Sequence, residues 1–408
     1  MLFLLVLVMY LDRLCIAVAG PRIQKELGLQ PSQWGWVLGI FTISYALFEV
    51  PGGVMADRIG PRKVLTRIVL WWSVFTALTG MVTGFGMLLL VRFLFGAGEA
   101  GTFPNCASVV SRWFPPEERA RSSSAFWVAT AVGGAITPLL VVPIQQAYGW
   151  RLAFGLFASL GLFWSAFWFY WFRDRPSEKS GITAPELTHI GQVMPAKHAV
   201  VPWATALRSR NFQLLLAMYH TYCWGTYFFL SWLPVYLQMG RGLTENQMKI
   251  ASSLPSWASG IGILIGGFLS DRLAKRYSLR IARCSIGAVS LIGAGLNMIA
   301  VTQIRNNRVA IALLTLGVGM LGMMLPVSWS VCLDIGREYA GALSGAMNMS
   351  GQIGSFLSSV AFGYLVQWTH NYDLSLLPLA LMLVVSGVLF ALIDPAQRII
   401  PESRSTWA

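Results

Sequence analysis

The chain alternates between long apolar runs and short polar breaks. A membrane-spanning helix needs about 20 apolar residues, and twelve runs of roughly that length can be read between charged or turn-rich breaks. We number them span 1 to span 12, and they cover roughly 2–19, 37–56, 64–83, 87–110, 122–147, 151–172, 212–238, 248–269, 281–302, 309–333, 340–367 and 374–393. The pattern predicts an all-α polytopic membrane protein.

One polar stretch is much longer than the other breaks and divides the spans into six and six. It contains RDRPSEKSG and TAPELTHIGQ, with proline and several charges. We therefore predict an N-terminal six-helix bundle over 1–172, a cytoplasmic central loop over 173–211, a C-terminal six-helix bundle over 212–394 and a cytoplasmic tail over 395–408.

The composition excludes soluble proteins. Hydrophobic residues make up 55% of the 408 residues and charged residues 12%, and the mean hydropathy is +0.60. A soluble domain carries about twice that charged fraction and could not cover so large an apolar core with polar surface. The five cysteines lie in apolar runs without a CxxC motif, so we interpret them as packing residues and expect no metal site.

The net charge of +13 is distributed unevenly. The loops after spans 2, 4, 6, 8 and 10 and the C-terminal tail, with the adjoining span ends, hold 21 Lys and Arg, whereas the opposite loops hold seven. Cytoplasmic loops of membrane proteins are enriched in Lys and Arg. We therefore expect both termini in the cytoplasm, a location in the inner or plasma membrane, and no nucleic-acid partner.

The two halves carry a repeated loop. GGVMADRIGPRK begins at Gly52 after span 2, and GGFLSDRLAKR begins at Gly266 after span 8. At an offset of 214 residues, Gly53, Asp57, Arg58 and Arg62 match Gly267, Asp271, Arg272 and Arg276. Two six-span halves of parallel topology are typical of secondary transporters, whose substrate binds near the middle of the membrane.

The repeated loop, GxxxDRxGxR, and the Arg92-x-x-x-Gly96 pair of span 4 resemble motifs of the major facilitator superfamily. Four further stretches are similar to its anion:cation symporters: YLDR at Tyr10–Arg13, SYALFEVPGG at Ser44–Gly53, RFLFGAGEAGTFPN at Arg92–Asn105 and MNMSGQIG at Met347–Gly354. That group contains bacterial galactonate, glucarate and hexuronate transporters and, more distantly, sialin and the vesicular glutamate transporters. The resemblance covers essentially the whole chain. It implies twelve helices in two pseudo-symmetric six-helix bundles that take up an organic anion with protons.

Two pairs of charged residues lie inside predicted spans, Asp12 and Arg13 in span 1 and Arg92 and Glu99 in span 4. Because a charge at the bilayer centre costs about 2.5–3.5 kcal/mol, we expect them to face the bundle interior. Arg92 and Glu99 are two helical turns apart and point the same way. Arg92 and Glu99 could form a static pair that braces the bundle, and Asp12 and Arg13 could form a structural ion pair with another span. The resemblance instead favours Asp12 and Glu99 as proton carriers and Arg13 and Arg92 as the anion site.

Two carboxylates predict two protons per substrate. Moving one charge across 100 mV is worth about 2.3 kcal/mol, so a second proton would let the membrane potential assist the uptake of a monovalent anion. A third acid, Glu49, lies near the cytoplasmic end of span 2. We interpret Glu49 as a packing or gating residue.

Aromatic and neutral polar residues of other spans complete the expected site. Such residues suit a polyhydroxylated substrate, although aromatic residues of membrane proteins also pack or form interfacial belts. We expect substrate contacts from Tyr45 in span 2, Tyr222 in span 7, Ser328 and Trp329 in span 10, and Asn348 in span 11.

The repeated loop is expected to gate the transporter. Asp57 could hold cationic loop residues or a helix N-terminus of the other half, which would stabilise the state closed to the cytoplasm. The predicted gating residues are Gly53, Asp57, Arg58, Arg62, Asp271 and Arg272.

No phosphate-binding loop, metalloprotease motif or Ser/His/Asp set is recognisable in the sequence. We therefore predict a transporter rather than an enzyme, driven by a proton gradient without a cofactor. It would act as a monomer in the lipid bilayer, by rocker-switch alternating access, on a sugar acid (an aldonate, aldarate or hexuronate). Two alternatives are an exporter of a drug or metabolite with the same fold and a non-transporting membrane sensor of an organic anion. The intramembrane arginines argue against cationic drugs, and the intact Asp12 and Glu99 argue against a sensor.

Overall fold

The structure is a computed structural model that describes residues 1–190, 201–397 and 399. Eight side chains within these ranges are not described: those of Val50, Ala56, Asp57, Pro116, Glu117, Ala120, Arg121 and Glu338. The described residues form long helices joined by short turns, and none of them lies in a strand. Helices satisfy their own backbone hydrogen bonds, which a segment surrounded by lipid requires.

Twelve helical segments among the described residues correspond to the predicted spans. Spans 1 to 6 are Leu2–Leu27, Pro31–Ile59, Pro61–Thr79, Phe85–Glu99 with Thr102–Trp113, Pro116–Tyr148 and Trp150–Trp171. Spans 7 to 12 are Arg210–Ser231 with Leu233–Val235 and the π turn Tyr236–Gly240, Glu245–Ala274, the π turn Arg280–Ser285 with Ile286–Gln303, Asn307–Gly336, Ala340–Thr369, and Leu374–Leu376 with Leu377–Leu392. Two short helices, Ala184–Ile190 and Trp203–Arg208, lie in the central loop.

Eight of the spans are long and apolar enough to cross a membrane by length and composition alone. The helices of spans 2, 3, 7 and 11 do not reach that measure in the described residues. They are the spans with more polar or aromatic positions, such as Thr76 in span 3 and His220 in span 7. Polar side chains in a membrane helix face protein or a cavity rather than lipid, so a lower hydropathy is compatible with an interior position.

Span 4 is interrupted, whereas its apolar run predicts one continuous helix. The first helix ends at Glu99, and Gly101 has a φ of 86° before the second helix begins at Thr102. A Cβ atom on Gly101 would lie 2.8 Å from the Cα of Gly52 in span 2. The Asn105 amide donates to the carbonyl oxygens of Gly52 at 3.2 Å and Gly101 at 2.7 Å. The break therefore depends on a close approach of two backbones, and it leaves Glu99 at a helix end.

The chain forms two compact units. The first consists of Met1–Pro195, Tyr227–Gly260 and Phe356–Ser375, and the second of Ala196–Thr226, Ile261–Ser355 and Leu376–Ala408. The unit boundaries fall within spans 7, 8, 11 and 12, whereas the predicted bundles divide the chain at the central loop.

Two contacts join helices within the first unit. A Cβ atom on Gly35 of span 2 would lie 2.5 Å from the carbonyl oxygen of Ser359 in span 11, so the backbones of these two helices lie close together. Spans 1 and 8 are joined by an ion pair between Arg22 and Glu245, at 2.6 Å. One end of spans 8 and 11 is thus packed against spans 1 and 2.

Candidate functional site

Spans 1 and 4 bring Arg13 and Glu99 together. The Nε of Arg13 donates to Glu99 Oε1 at 2.8 Å, and its Nη2 donates to the same oxygen. The Glu99 side chain is fully buried, whereas 14% of the Arg13 side chain is exposed. Glu99 Oε2 accepts no hydrogen bond from a described residue. The pair therefore uses one carboxylate oxygen and leaves the other available.

Arg92 lies next to this pair without joining it. Its guanidinium carbon is 5.0 Å from the ring centre of Phe41 and 4.7 Å from that of Phe95. The Arg13 guanidinium is 4.9 Å from the same Phe41 ring. The two cations thus share one aromatic residue, which attracts both through cation–π interactions. Within the described part of the chain Glu99 pairs with Arg13, so the alternative of a static Arg92–Glu99 pair within span 4 is not what the structure has.

Three tyrosines surround the two arginines. The guanidinium carbon of Arg13 lies 5.5 Å from the ring centre of Tyr10 and 5.2 Å from that of Tyr45. Tyr45 is buried, as expected for a side chain facing the interior. Tyr227 of span 7 lies within electrostatic range of both Arg13 and Arg92. Two guanidiniums, with one carboxylate paired to Arg13, thus lie among tyrosine hydroxyl groups.

Tyr227 was not among the residues predicted for the site. Its span carries several aromatic residues, and their spacing does not single one out. Five residues separate Tyr222 from Tyr227, which places them about 140° apart around the helix.

The Asp12 side chain points in a different direction from that of Arg13, the next residue of span 1. Successive helix residues point about 100° apart, and Asp12 lies close to Trp72 and Thr76 of span 3. It is buried, and neither of its carboxyl oxygens accepts a hydrogen bond of good geometry from a described residue. Glu99 therefore has a counter-ion in this structure, and Asp12 has none among the described residues.

The other predicted contact residues belong to the second compact unit. Tyr222 is buried, and Trp329 and Asn348 are partly buried. Ser328 is fully buried, and its hydroxyl donates to the carbonyl of Leu325 in its own helix at 2.8 Å. Their roles as substrate contacts stay predictions.

Arg62 of the repeated loop contacts residues at the end of span 6. Its backbone N–H donates to Asp174 Oδ1 at 2.8 Å, and its Nε donates to the carbonyl of Phe169 at 2.8 Å. Gly60, at a φ of 95°, makes room for the Asp174 carboxylate, which lies 2.6 Å from where a Cβ atom would be. These contacts fasten the loop after span 2 to the end of span 6, and Asp174 is a partner that the motif does not reveal.

The remaining gating candidates are placed as follows. Arg58 is exposed, and the Asp57 side chain lies outside the described residues, so its latch stays a prediction. A Cβ atom on Gly53 would lie 3.3 Å from Pro104 of span 4, which indicates close packing there. Asp271 and Arg272 are exposed at the end of span 8.

The pattern of the Major Facilitator Superfamily matches residues 2–359. The chain belongs to this superfamily. The predicted fold of twelve transmembrane helices in two pseudo-symmetric six-helix bundles is thereby confirmed, as is a multi-pass membrane transporter rather than an enzyme.

Three named relatives indicate which group of the superfamily the chain resembles. The chain is 36% identical to a probable sulfoacetate transporter, SauU, of Cupriavidus necator, covering 96% of this chain and 92% of the relative. It is 30% identical to the hexuronate transporter of Bacillus subtilis, covering 91% and 88%. It is 31% identical to the probable galactarate/D-glucarate transporter GudP of Escherichia coli, covering 91% and 87%. These relatives confirm the resemblance to the anion:cation symporters.

A solved structure agrees on the fold. An inward-facing crystal structure of a bacterial homologue of the human lysosomal transporter Spinster superposes with a TM-score of 0.79 over 95% of this chain and 94% of that one. The two sequences are 19% identical, so this likeness concerns the fold alone.

Proposed function

We propose that this chain imports a small organic anion, specifically a sugar acid, together with protons. The observation that carries the proposal is that the guanidiniums of Arg13 and Arg92 lie against the same Phe41 ring, while Glu99 is paired with Arg13. A guanidinium offers a planar set of donors that fits a carboxylate, and among the described residues no carboxylate is paired with Arg92. The relatives' names, which mention sulfoacetate, hexuronate, galactarate and glucarate, support an anionic substrate.

The Arg13–Glu99 contact suggests how protons and substrate are coupled. Arg13 gives two donors to one oxygen of Glu99, so a substrate carboxylate that takes these donors must displace Glu99. A proton on Glu99 removes the charge that would then lack a partner. Each ligand therefore favours the binding of the other, which is positive coupling between the two. Asp12, which has no counter-ion among the described residues, is the second proposed proton carrier.

We base the proposed membrane orientation on the loop charges, and the proposed energy source and transport cycle on the superfamily. We place both termini and the central loop in the cytoplasm and the protein in the inner or plasma membrane. The proton gradient supplies the energy without a cofactor, and a monomer alternates between outward-open and inward-open states by rocking its two bundles.

A thermal-shift screen in detergent tests for the anion site. The panel contains aldonates, aldarates, hexuronates, sulfoacetate and amphiphilic cations. We expect one of the organic anions to raise the unfolding temperature of the wild type and to lose that effect in Arg92→Ala. Stabilisation by cations alone, equal in both proteins, would refute the anion site and favour an exporter.

A proteoliposome assay then tests proton coupling. The identified substrate is supplied outside at acidic pH with a neutral interior, and both accumulation and counterflow exchange are measured. We expect Glu99→Gln to abolish accumulation and to retain exchange. The glutamine amide still offers an oxygen that can accept a hydrogen bond, but it cannot take up a proton and release it. Glu49→Gln is the matched control, since it neutralises another intramembrane acid and should still accumulate substrate. If Glu99→Gln concentrates substrate like the wild type, the proposed proton carrier is wrong.

A further inference from the structure

The end of span 8 carries a charged groove that the proposed transport mechanism does not use. It is lined by Phe268, Asp271, Arg272, Lys275 and Arg276 and has a volume of about 420 Å³. All five side chains are exposed. Three of them are cations and one is an anion, so the groove has a net charge of +2.

The cations of the groove are not neutralised inside the second unit. Among the described residues, no ion pair or side-chain hydrogen bond involves Arg272, Lys275 or Arg276. Basic residues at a helix C-terminus complement the helix dipole, but that effect needs no groove and no lining apolar residue. The three cations are therefore available to an external anion.

The two copies of the repeated loop differ at Arg276. In the first copy, Arg62 donates to the carbonyl of Phe169 near the end of span 6. In the second copy, the equivalent contact near the end of span 12 is made by Arg280, which donates to the carbonyl of Ala391 at 3.3 Å. The offset of 214 residues equates Arg62 with Arg276, yet Arg280 has taken that structural position. Among the described residues, the Arg276 side chain has no acceptor like the one that Arg62 has.

An apolar residue lies beside the cations near the end of span 8. Phe268 is 68% exposed and precedes Arg272 by one helical turn. The helix of span 8, Glu245–Ala274, ends in the middle of the groove, and a membrane helix typically ends in the head-group region. Basic pockets at the ends of transmembrane helices suit the phosphate of an anionic lipid, and an acyl chain of the same lipid would cover Phe268.

We propose that this groove binds the head group of an anionic phospholipid, with Arg272, Lys275 and Arg276 contacting its phosphate and Phe268 contacting an acyl chain. Inorganic phosphate has the same charged chemistry without the chain, and a zwitterionic phospholipid has the chain without the net charge. The two compounds therefore separate the two parts of the site.

The experiment titrates short-chain lipids into the full-length protein purified in a neutral detergent and follows the unfolding temperature. The ligands are dioctanoylphosphatidylglycerol, dioctanoylphosphatidylcholine and inorganic phosphate. The test variant is the triple substitution R272Q/K275Q/R276Q. The matched control is R305Q/R308Q, which removes two exposed cations from the loop between spans 9 and 10, at the opposite end of span 9.

We expect phosphatidylglycerol alone to raise the unfolding temperature of the wild type. Each basic residue near an anionic lipid surface raises the affinity by about fivefold. Loss of all three should therefore weaken the apparent affinity of the triple variant by about 100-fold. The control should bind like the wild type. If the triple variant is not stable enough to purify, Lys275→Gln should still weaken binding by about fivefold.

Three results would overturn the proposal. The variants could keep the wild-type midpoint for phosphatidylglycerol, which would place its binding elsewhere. Inorganic phosphate could reproduce the shift, which would make the site one for a free anion. Phosphatidylcholine could reproduce it, which would show that charge is not recognised.

Discussion

The membrane potential should drive the uptake of a monovalent sugar acid through this protein but not the uptake of a divalent one. The structure offers two buried carboxyl groups near the arginines, Glu99 with Arg13 as its counter-ion and Asp12 with none among the described residues. If each carries one proton, a monovalent anion crosses with a net charge of +1, and a divalent anion crosses with none.

The size of the effect follows from this charge. One elementary charge moved across 100 mV is worth about 2.3 kcal/mol, and every 1.4 kcal/mol changes an equilibrium ratio by about tenfold. A potential of about 100 mV, negative inside, should therefore raise the equilibrium accumulation of a monovalent substrate by about 50-fold. A carrier with one proton per substrate would show no such increase.

Proteoliposomes with potassium gradients and valinomycin measure this directly. The pH is held equal on both sides, and the accumulation of a monovalent hexuronate and a divalent aldarate is compared at zero potential and at about −100 mV. Asp12→Asn should abolish the potential dependence for the hexuronate and retain counterflow exchange, and Glu49→Gln should behave like the wild type. Equal accumulation of the monovalent substrate by the wild type at both potentials would refute the two-proton reasoning.

Substitutions at three other places should change substrate affinity, stability or coupling free energy by the following amounts. Arg92→Lys keeps the charge but loses the planar donor set, so sugar-acid affinity in a thermal-shift titration should fall by at least tenfold; unchanged affinity would exclude Arg92 from the anion site. Gly101→Ala should lower stability by about 1–3 kcal/mol, because alanine is strained at a φ of 86°. Its control, Gly86→Ala, meets open space in the same span and should change the unfolding temperature little. Arg22 and Glu245 are partly exposed, so a double-mutant cycle should give a coupling of about 0.2–1 kcal/mol, and zero coupling would show that the contact is incidental.

The spans could be predicted from sequence because each must shield its backbone from lipid and is therefore a long apolar run. Their ends could not be predicted as well. The first helix reaches Leu27 although its apolar run stops near residue 19, and the second begins at Pro31 although its run starts near residue 37. Helical hydrogen bonding continues into the polar interface, where hydropathy no longer marks the element.

The interruption of span 4 shows a limit of a different kind. The residues from 87 to 110 read as one apolar run, and nothing local requires a break after Glu99. The break depends on Gly101 lying against Gly52, which is 49 residues away in the chain. The run of small residues around Gly101 allows such an approach, but only the tertiary structure shows that it occurs.

Periodicity likewise predicted part of the candidate site. A spacing of seven residues predicts that Arg92 and Glu99 lie on the same side of span 4, where Glu99 pairs with Arg13 of span 1 and Arg92 lies against Phe41 of span 2. It does not show that Glu99 would pair with Arg13, because a partner on another span depends on how the helices pack. The adjacent positions of Asp12 and Arg13 suggest a common site, yet helix geometry directs Asp12 towards span 3.

The position of Glu99 connects the break in span 4 to the proposed coupling. Glu99 is the last residue of the first helix of span 4, where the partial negative charge of the helix dipole is located. Arg13 therefore offsets both the carboxylate and the helix end. An anion that takes Arg13 away would leave two negative groups together in a buried site, at a cost that a proton on Glu99 removes. If span 4 were continuous, the dipole would act further along the chain, and the demand for a proton at this point would be weaker. In the proposed coupling, the backbone contact between Gly52 and Gly101 would therefore contribute to the proton dependence of substrate binding without touching the substrate.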